Sequence, residues 1–297
     1  MTRITALLLL VLAGGVCPAH AQIRASERAT VAQNVDGSRI TVDYSRPRAR
    51  GRVIYGNLEP WGRAWTPGAD DATTLEVSRP VQLLGMTVPK GRYSVWLVIE
   101  ETGPWTFVLD PRDTLYHTAF PTPTPEQYRA PITPITVPHT EVLTWDFPEV
   151  STSGAVLEMR WGTQAVRVPI SVTPTYAMTI TEAAAAPYLG TYDFTWTDPD
   201  NKEPRSQFTI IWRDGRLVGQ WTPAQFGMTE TWLLGDGPDR FVRSLVRNGE
   251  LWATIESSAF VFQRSNGLVT GFELRAPSGV SAIGVRQTSD PIPYTAG

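Results

Sequence analysis

Cysteine is nearly missing from this chain: the only one, Cys17, stands in an N-terminal stretch that reads as a removable leader. Once that stretch is removed, disulfides, thiolate metal sites and cysteine nucleophiles are excluded together. Lysine is almost as scarce. Lys90 and Lys202 are the only two, neither has a serine three positions before it, and no Gly-x-Ser-x-Gly occurs, so the usual local signatures of a serine hydrolase are absent. Beyond the leader the histidines are His117 and His139, without a histidine partner at the short spacing that sets metal ligands on one face. No later apolar run approaches the roughly 20 residues of a membrane helix, and a formal charge of −3 without a long basic run gives no footprint for nucleic acid. No cofactor motif is present.

The leader itself has Arg3 as its charged start, an apolar core from Ala6 to Val16 and a small-x-small ending at Ala19-His20-Ala21. Cleavage after Ala21 and a secreted or periplasmic product are expected. The competing reading makes Cys17 a lipoprotein's acylated residue, but Val16 before it is bulkier than such sites carry.

Proline, glycine and tryptophan are plentiful, with 25, 24 and 11 residues. Short alternating runs between turn residues predict an all-β chain. Residues 22–174 are expected to form a β-sandwich-like domain of about nine strands, 175–187 a linker, 188–288 an up-and-down β-barrel, and 289–297 a tail. Pro111 to Pro138 interrupts the rhythm and reads as a surface excursion, because proline is not tolerated in central strands. Asn266-Gly267 and Asp214-Gly215 are hairpin turns, and Gly162-Thr163 is read as another. Asp198-x-Asp200-Asn201 with Glu203 lacks the turn glycine and spacing of a calcium loop and reads as a hairpin tip.

The densest stretch runs from Ser38 to Val77. A loop of roughly thirty residues there leaves one strand and rejoins a sheet, a length that is usually functional. Tyr55, Trp61 and Trp65 give it too much ring area to leave wet, so it is expected to be ordered. Tyr44-Ser45-Arg46-Pro47, Gly51-Arg52, Gly56, Pro60, Gly62 and Trp65, followed by Gly68-Ala69-Asp70-Asp71-Ala72-Thr73, resemble the signature of a secreted bacterial family of unknown function, numbered twenty-nine eleven among such domains. That resemblance spans about Ala25 to Val172 and implies a β-rich domain without supplying an activity. The family pattern has an arginine after the tryptophan, where this chain has Thr66-Pro67.

In the second half, Tyr188-x-Gly190-x-Tyr192, Asp214-Gly215-Arg216-Leu217, Asp239-Arg240-Phe241 and Phe262-x-Arg264 with Asn266-Gly267 are similar to the lipocalin-like accessory domain fused behind serine β-lactamase-like hydrolases. The hydrolase itself is missing here, which favours binding or stabilisation.

The leading expectation is a non-enzymatic protein that binds a small ligand or an envelope partner through Tyr44, Arg46, Arg52, Tyr55, Trp61, Trp65 and Asp70. Arg46, Arg52 and Arg63 are expected to pair with carboxylates such as Asp70 and so hold the loop. The alternatives are a carbohydrate-type hydrolase using carboxylates near Asp70 and Asp71 and a purely structural envelope component.

Overall fold

The computed structural model describes residues 24–287. The leader, its cleavage site, Cys17 and the expected tail from 289 onward lie outside the described residues. The chain divides into two compact units between Thr173 and Pro174.

The first unit contains eleven strands: β1 (Arg28–Val35), β2 (Ser38–Ser45), β3 (Ala64–Trp65), β4 (Thr74–Val77), β5 (Val81–Leu83), β6 (Met86–Val88), β7 (Gly91–Val98), β8 (Trp105–Asp110), β9 (Tyr128–Ile132), β10 (Ile135–Val150) and β11 (Gly154–Val172). One antiparallel sheet runs β1-β2-β4-β7-β8-β9 with β3 on β7, and the other runs β10-β11-β5-β6. Alternation places Ile40, Val42 and Tyr44 of β2 inward, where they join Leu143, Trp145, Leu157, Met159 and Trp161 of the other sheet in one core. Pro131 is tolerated because β9 is an edge strand. Gly162-Thr163 is not a hairpin turn. β11 continues through it, with Gly162 at φ +57° opposite Thr140 and register shifts on either side, so the glycine is a bulge that bends one long strand.

The second unit is a closed antiparallel barrel of eight strands: β12 (Gly190–Trp196), β13 (Ser206–Arg213), β14 (Arg216–Gln225), β15 (Met228–Gly235), β16 (Arg240–Arg247), β17 (Glu250–Ser265), β18 (Leu268–Ala276) and β19 (Gly279–Arg286), with β19 returning to β12. The sequence pattern splits β17 into two strands, at 251–255 and 259–263; the shift between the Val242–Ala259 and Arg243–Ile255 pairs keeps them one. This barrel is filled. Phe208 and Phe260 stack at 5.2 Å and 3°, and Phe272 meets both edge-on. Gly219 admits this packing, since a Cβ there would lie 2.0 Å from the Phe208 ring.

The only helical turns among the described residues are α1 (Glu182–Ala185), capped by Thr181, and the 3-10 turn Ala186–Tyr188. The stretch 175–187 is more than a linker. Ala177 exchanges two backbone hydrogen bonds with Gly235, Trp212 Nε1 donates to the Ile180 carbonyl, and Tyr176 and Met178 cover Val218, Trp232 and Leu234. No helix among the described residues is long and apolar enough to cross a membrane.

Candidate functional site

The long loop between β2 and β4 is ordered by backbone bonds and rings, and very little by ion pairs. Leu143 N–H donates to the Pro47 carbonyl and Ala49 N–H to that of Glu141, so residues 47–49 run along β10 like a short extra strand. Ala49 points into the core, and with a period of two Arg48 and Arg50 on either side face out. Arg52 then folds back on the turn, Nε donating 3.0 Å to the Ala49 carbonyl and a terminal nitrogen 2.7 Å to that of Arg48. Arg46 donates to the Leu143 carbonyl and to Thr144 Oγ1. The expected arginine–carboxylate forks are therefore not what holds this loop: backbone carbonyls accept most of these bonds.

A second turn, residues 54–59, places Glu59. Glu59 N–H donates to the Ile54 carbonyl and Gly56 N–H to that of Glu59, each at 2.8 Å. Gly56 has φ +82°, and a Cβ there would stand 2.3 Å from Trp61 Nε1. Tyr55 donates its hydroxyl to the Trp161 carbonyl at 3.2 Å and packs against Trp61, Trp65 and Trp105.

Above this lies a cleft of about 440 Å³. Trp65 and Trp161 line it as a stacked pair, with centroids 5.7 Å apart and planes at 23°. Arg48, Arg50, Arg52 and Arg63 are the four arginines among its lining residues. The remaining wall comes from the proline-rich excursion through His117, Thr118 and Phe120, with Arg63 sitting 4.2 Å above the Phe120 ring. His117 Nδ1 lies 3.0 Å from the Asp70 carbonyl, and because a carbonyl only accepts, Nδ1 carries the hydrogen.

Glu59 is the one carboxylate among the lining residues. Burial pushes its pKa up to about 7, against the opposing pull of Arg63 and Arg52, and among the described residues its carboxyl closes neither an ion pair nor a hydrogen bond. Burial also raises the Tyr55 phenol, with the charge of Glu59 adding to the effect. Trp161 Nε1 is buried without a partner among the described residues.

Of the seven residues expected to bind ligand, only Arg52 and Trp65 line this cleft. Tyr44 is buried, with its hydroxyl toward the Trp145 carbonyl. Tyr55 supports the tryptophans from outside the lining, and Trp61 lies on Tyr55, 37 % exposed. Asp70 is 4.0 Å from Arg24 at the surface and closes no ion pair with Arg46, Arg52 or Arg63 among the described residues. Asp71 pairs through its backbone with Tyr116, so Asp70 and Asp71 form no carboxylate pair in the cleft. Thr66 is fully buried, donating to the Val95 carbonyl and accepting from Thr73 N–H, so the departure from the family pattern is part of the packing. Glu59, Arg48, Arg50 and Trp161 were not among the residues expected to bind ligand. The alternation Arg48-Ala49-Arg50 was the available signal for two of them. Among the described residues, no three His, Cys, Asp or Glu side chains gather as a metal site.

These features define a two-unit all-β protein, a sandwich bearing a basic, tryptophan-floored cleft followed by a closed eight-strand barrel. Residues 26–170, which lie within the sandwich unit, match the family described as "Protein of unknown function (DUF2911)". Compared with the curated proteins, the chain matches none.

Proposed function

We propose that this is an exported, non-enzymatic binding protein whose sandwich unit holds a small ligand in the cleft above Trp65 and Trp161. The observation that carries the reading is the cleft itself: a stacked indole floor with four arginines and one carboxylate, Glu59, among the residues that line it. Arg48 and Arg50 close no side-chain ion pair among the described residues; the nearby Glu141 carboxylate accepts from the Arg50 backbone N–H. Glu59 stands in the cleft without a second carboxylate, which favours holding a ligand over hydrolysing a glycosidic bond. The filled barrel supports the same assignment, because a ligand inside it would have to displace the Phe208, Phe260 and Phe272 rings. Export is inferred from the leader, and intact-mass measurement of the cell-derived protein should give a chain beginning at Gln22.

Binding is tested by thermal shift of the mature chain against sugars, lipids, peptides and small aromatic compounds, since a ligand for the folded state raises Tm. The expected result is a rise that is lost in Ala69→Trp, a substitution that fills the cleft. A rise unchanged by that substitution would place the ligand elsewhere.

A further inference from the structure

We propose that the cleft takes a ring-bearing oxyanion, such as an aromatic carboxylate, and that its capture is coupled to uptake of one proton by Glu59. The proposal rests on the cleft being the ligand site and names the chemistry it selects. A flat ring fits the Trp65–Trp161 floor, and an oxyanion fits guanidinium groups, whose N–H forks match carboxylate geometry.

Glu59 competes for the same positive charge. Arg52 and Arg63 face it from its own loop, Tyr55 stands across the turn, Arg48 and Arg50 come from the segment along β10, and His117 comes from the proline-rich excursion. Its carboxyl has no hydrogen bond or ion pair among the described residues to hold it ionised. An arriving anion would meet a second negative charge in a partly desolvated site, where like charges repel strongly. Protonation removes that charge and leaves Arg48, Arg50 and Arg63 to the ligand, while Arg52 stays on the Ala49 and Arg48 carbonyls. Burial has already brought this carboxyl to about 7, so little further stabilisation of the proton is needed.

Calorimetric titration of the mature chain with benzoate, benzenesulfonate and neutral benzyl alcohol tests both parts, because neither anion changes charge between pH 6 and 8. Both anions should bind at pH 6 and the alcohol much more weakly. Affinity for the anions should fall about tenfold by pH 8, following the protonated fraction of a group centred near neutrality. Proton uptake should appear as a dependence of the measured heat on the buffer's ionisation enthalpy. Glu59→Gln should remove the pH dependence while keeping strong binding at pH 8, and Arg48→Ala combined with Arg50→Ala should weaken the anions and leave the alcohol unchanged.

Equal binding of alcohol and anions, insensitive to the arginines, would keep the cleft as a ligand site and overturn the anion assignment. A pH dependence that survives Glu59→Gln overturns the role of Glu59. Absence of heat with all three probes overturns both the inference and the cleft reading beneath it.

Discussion

Trp65 and Trp161 reach each other from opposite sheets of the sandwich, β3 and β11, and stack 5.7 Å apart at 23° directly beneath the cleft. The pair is at once part of the core and the floor of the site. Trp65→Ala should therefore cost about 3–5 kcal/mol, the range for removing a large buried ring, read from urea unfolding. Trp161→Phe keeps a ring and removes the unpartnered Nε1–H, so it should cost clearly less. Equal losses in the two variants would show that stacking geometry, and not buried volume, dominates.

Asp70 contributes through its backbone. Its carbonyl accepts from His117 N–H and faces His117 Nδ1, while its side chain is half-exposed and only 4.0 Å from Arg24. A surface pair of that kind is worth about 0–1 kcal/mol, well short of the 2–4 kcal/mol that a buried fork would give. Asp70 also has φ +60°, which asparagine tolerates and alanine does not. Asp70→Asn should change stability by less than about 0.5 kcal/mol, and Asp70→Ala should lower it by about 1 kcal/mol. A loss near 3 kcal/mol in both would restore the buried-pair reading.

The architecture was largely legible because strands announce themselves by alternation, as in Ile40/Val42/Tyr44, and turns by Asn-Gly and Asp-Gly pairs. Bulges hid the rest. Gly162 at φ +57° has the same residue type as a hairpin turn, and nothing local distinguishes a bend within one strand from a reversal between two. The barrel motifs were legible as residues but not as a device: Tyr188 donates its hydroxyl to Asp239, Arg264 grips the same carboxylate through two nitrogens, and a further Arg264 nitrogen holds the Gly267 carbonyl. In the cleft, Arg52 and Trp65 were found because they sit in the dense stretch. Glu59 carries no sequence signal, since its chemistry arises from burial among arginines that topology assembles. Trp161, ninety-six residues after Trp65, could not be joined to it without the sheet pairing.

Asp110 fastens the proline-rich excursion that supplies one cleft wall. Its buried carboxylate accepts from the Arg112 backbone and guanidinium and from Gln127 Nε2 at 2.7–2.9 Å, and Gln127 also donates to the Thr122 carbonyl. The hydrogen bond from Arg112 is the main cause that holds its pKa down at about 2, outweighing burial. Since the folded pKa lies below the unfolded one, the stability Asp110 contributes is complete above about pH 4 and is lost as pH falls toward 2. Asp110→Asn should cost about 1.5–3 kcal/mol at pH 7, the worth of hydrogen bonds to a charged group. The gap to wild type should close in urea titrations toward pH 2, and a gap independent of pH would mean that shape alone matters there.

Glu59 predicts the opposite slope. Burial sets its folded pKa near 7, above the unfolded value of about 4.5, so folding takes up a proton between those two pH values. Its favourable contribution is complete below about pH 4.5 and declines as pH rises through 7, where the folded protein must carry an ionised carboxyl in a partly desolvated cleft. Glu59→Gln removes the ionisation and keeps the size. The variant should match wild type near pH 4.5 and be more stable by about 1–3 kcal/mol at pH 8, a range reduced for residual solvent access. Urea midpoints at fixed ionic strength measure the difference. If the glutamine variant were instead the less stable at pH 8, the ionised carboxylate would be gaining more from Arg52 and Arg63 than burial takes away, and the cleft would hold an ion pair where the geometry shows an unpartnered acid.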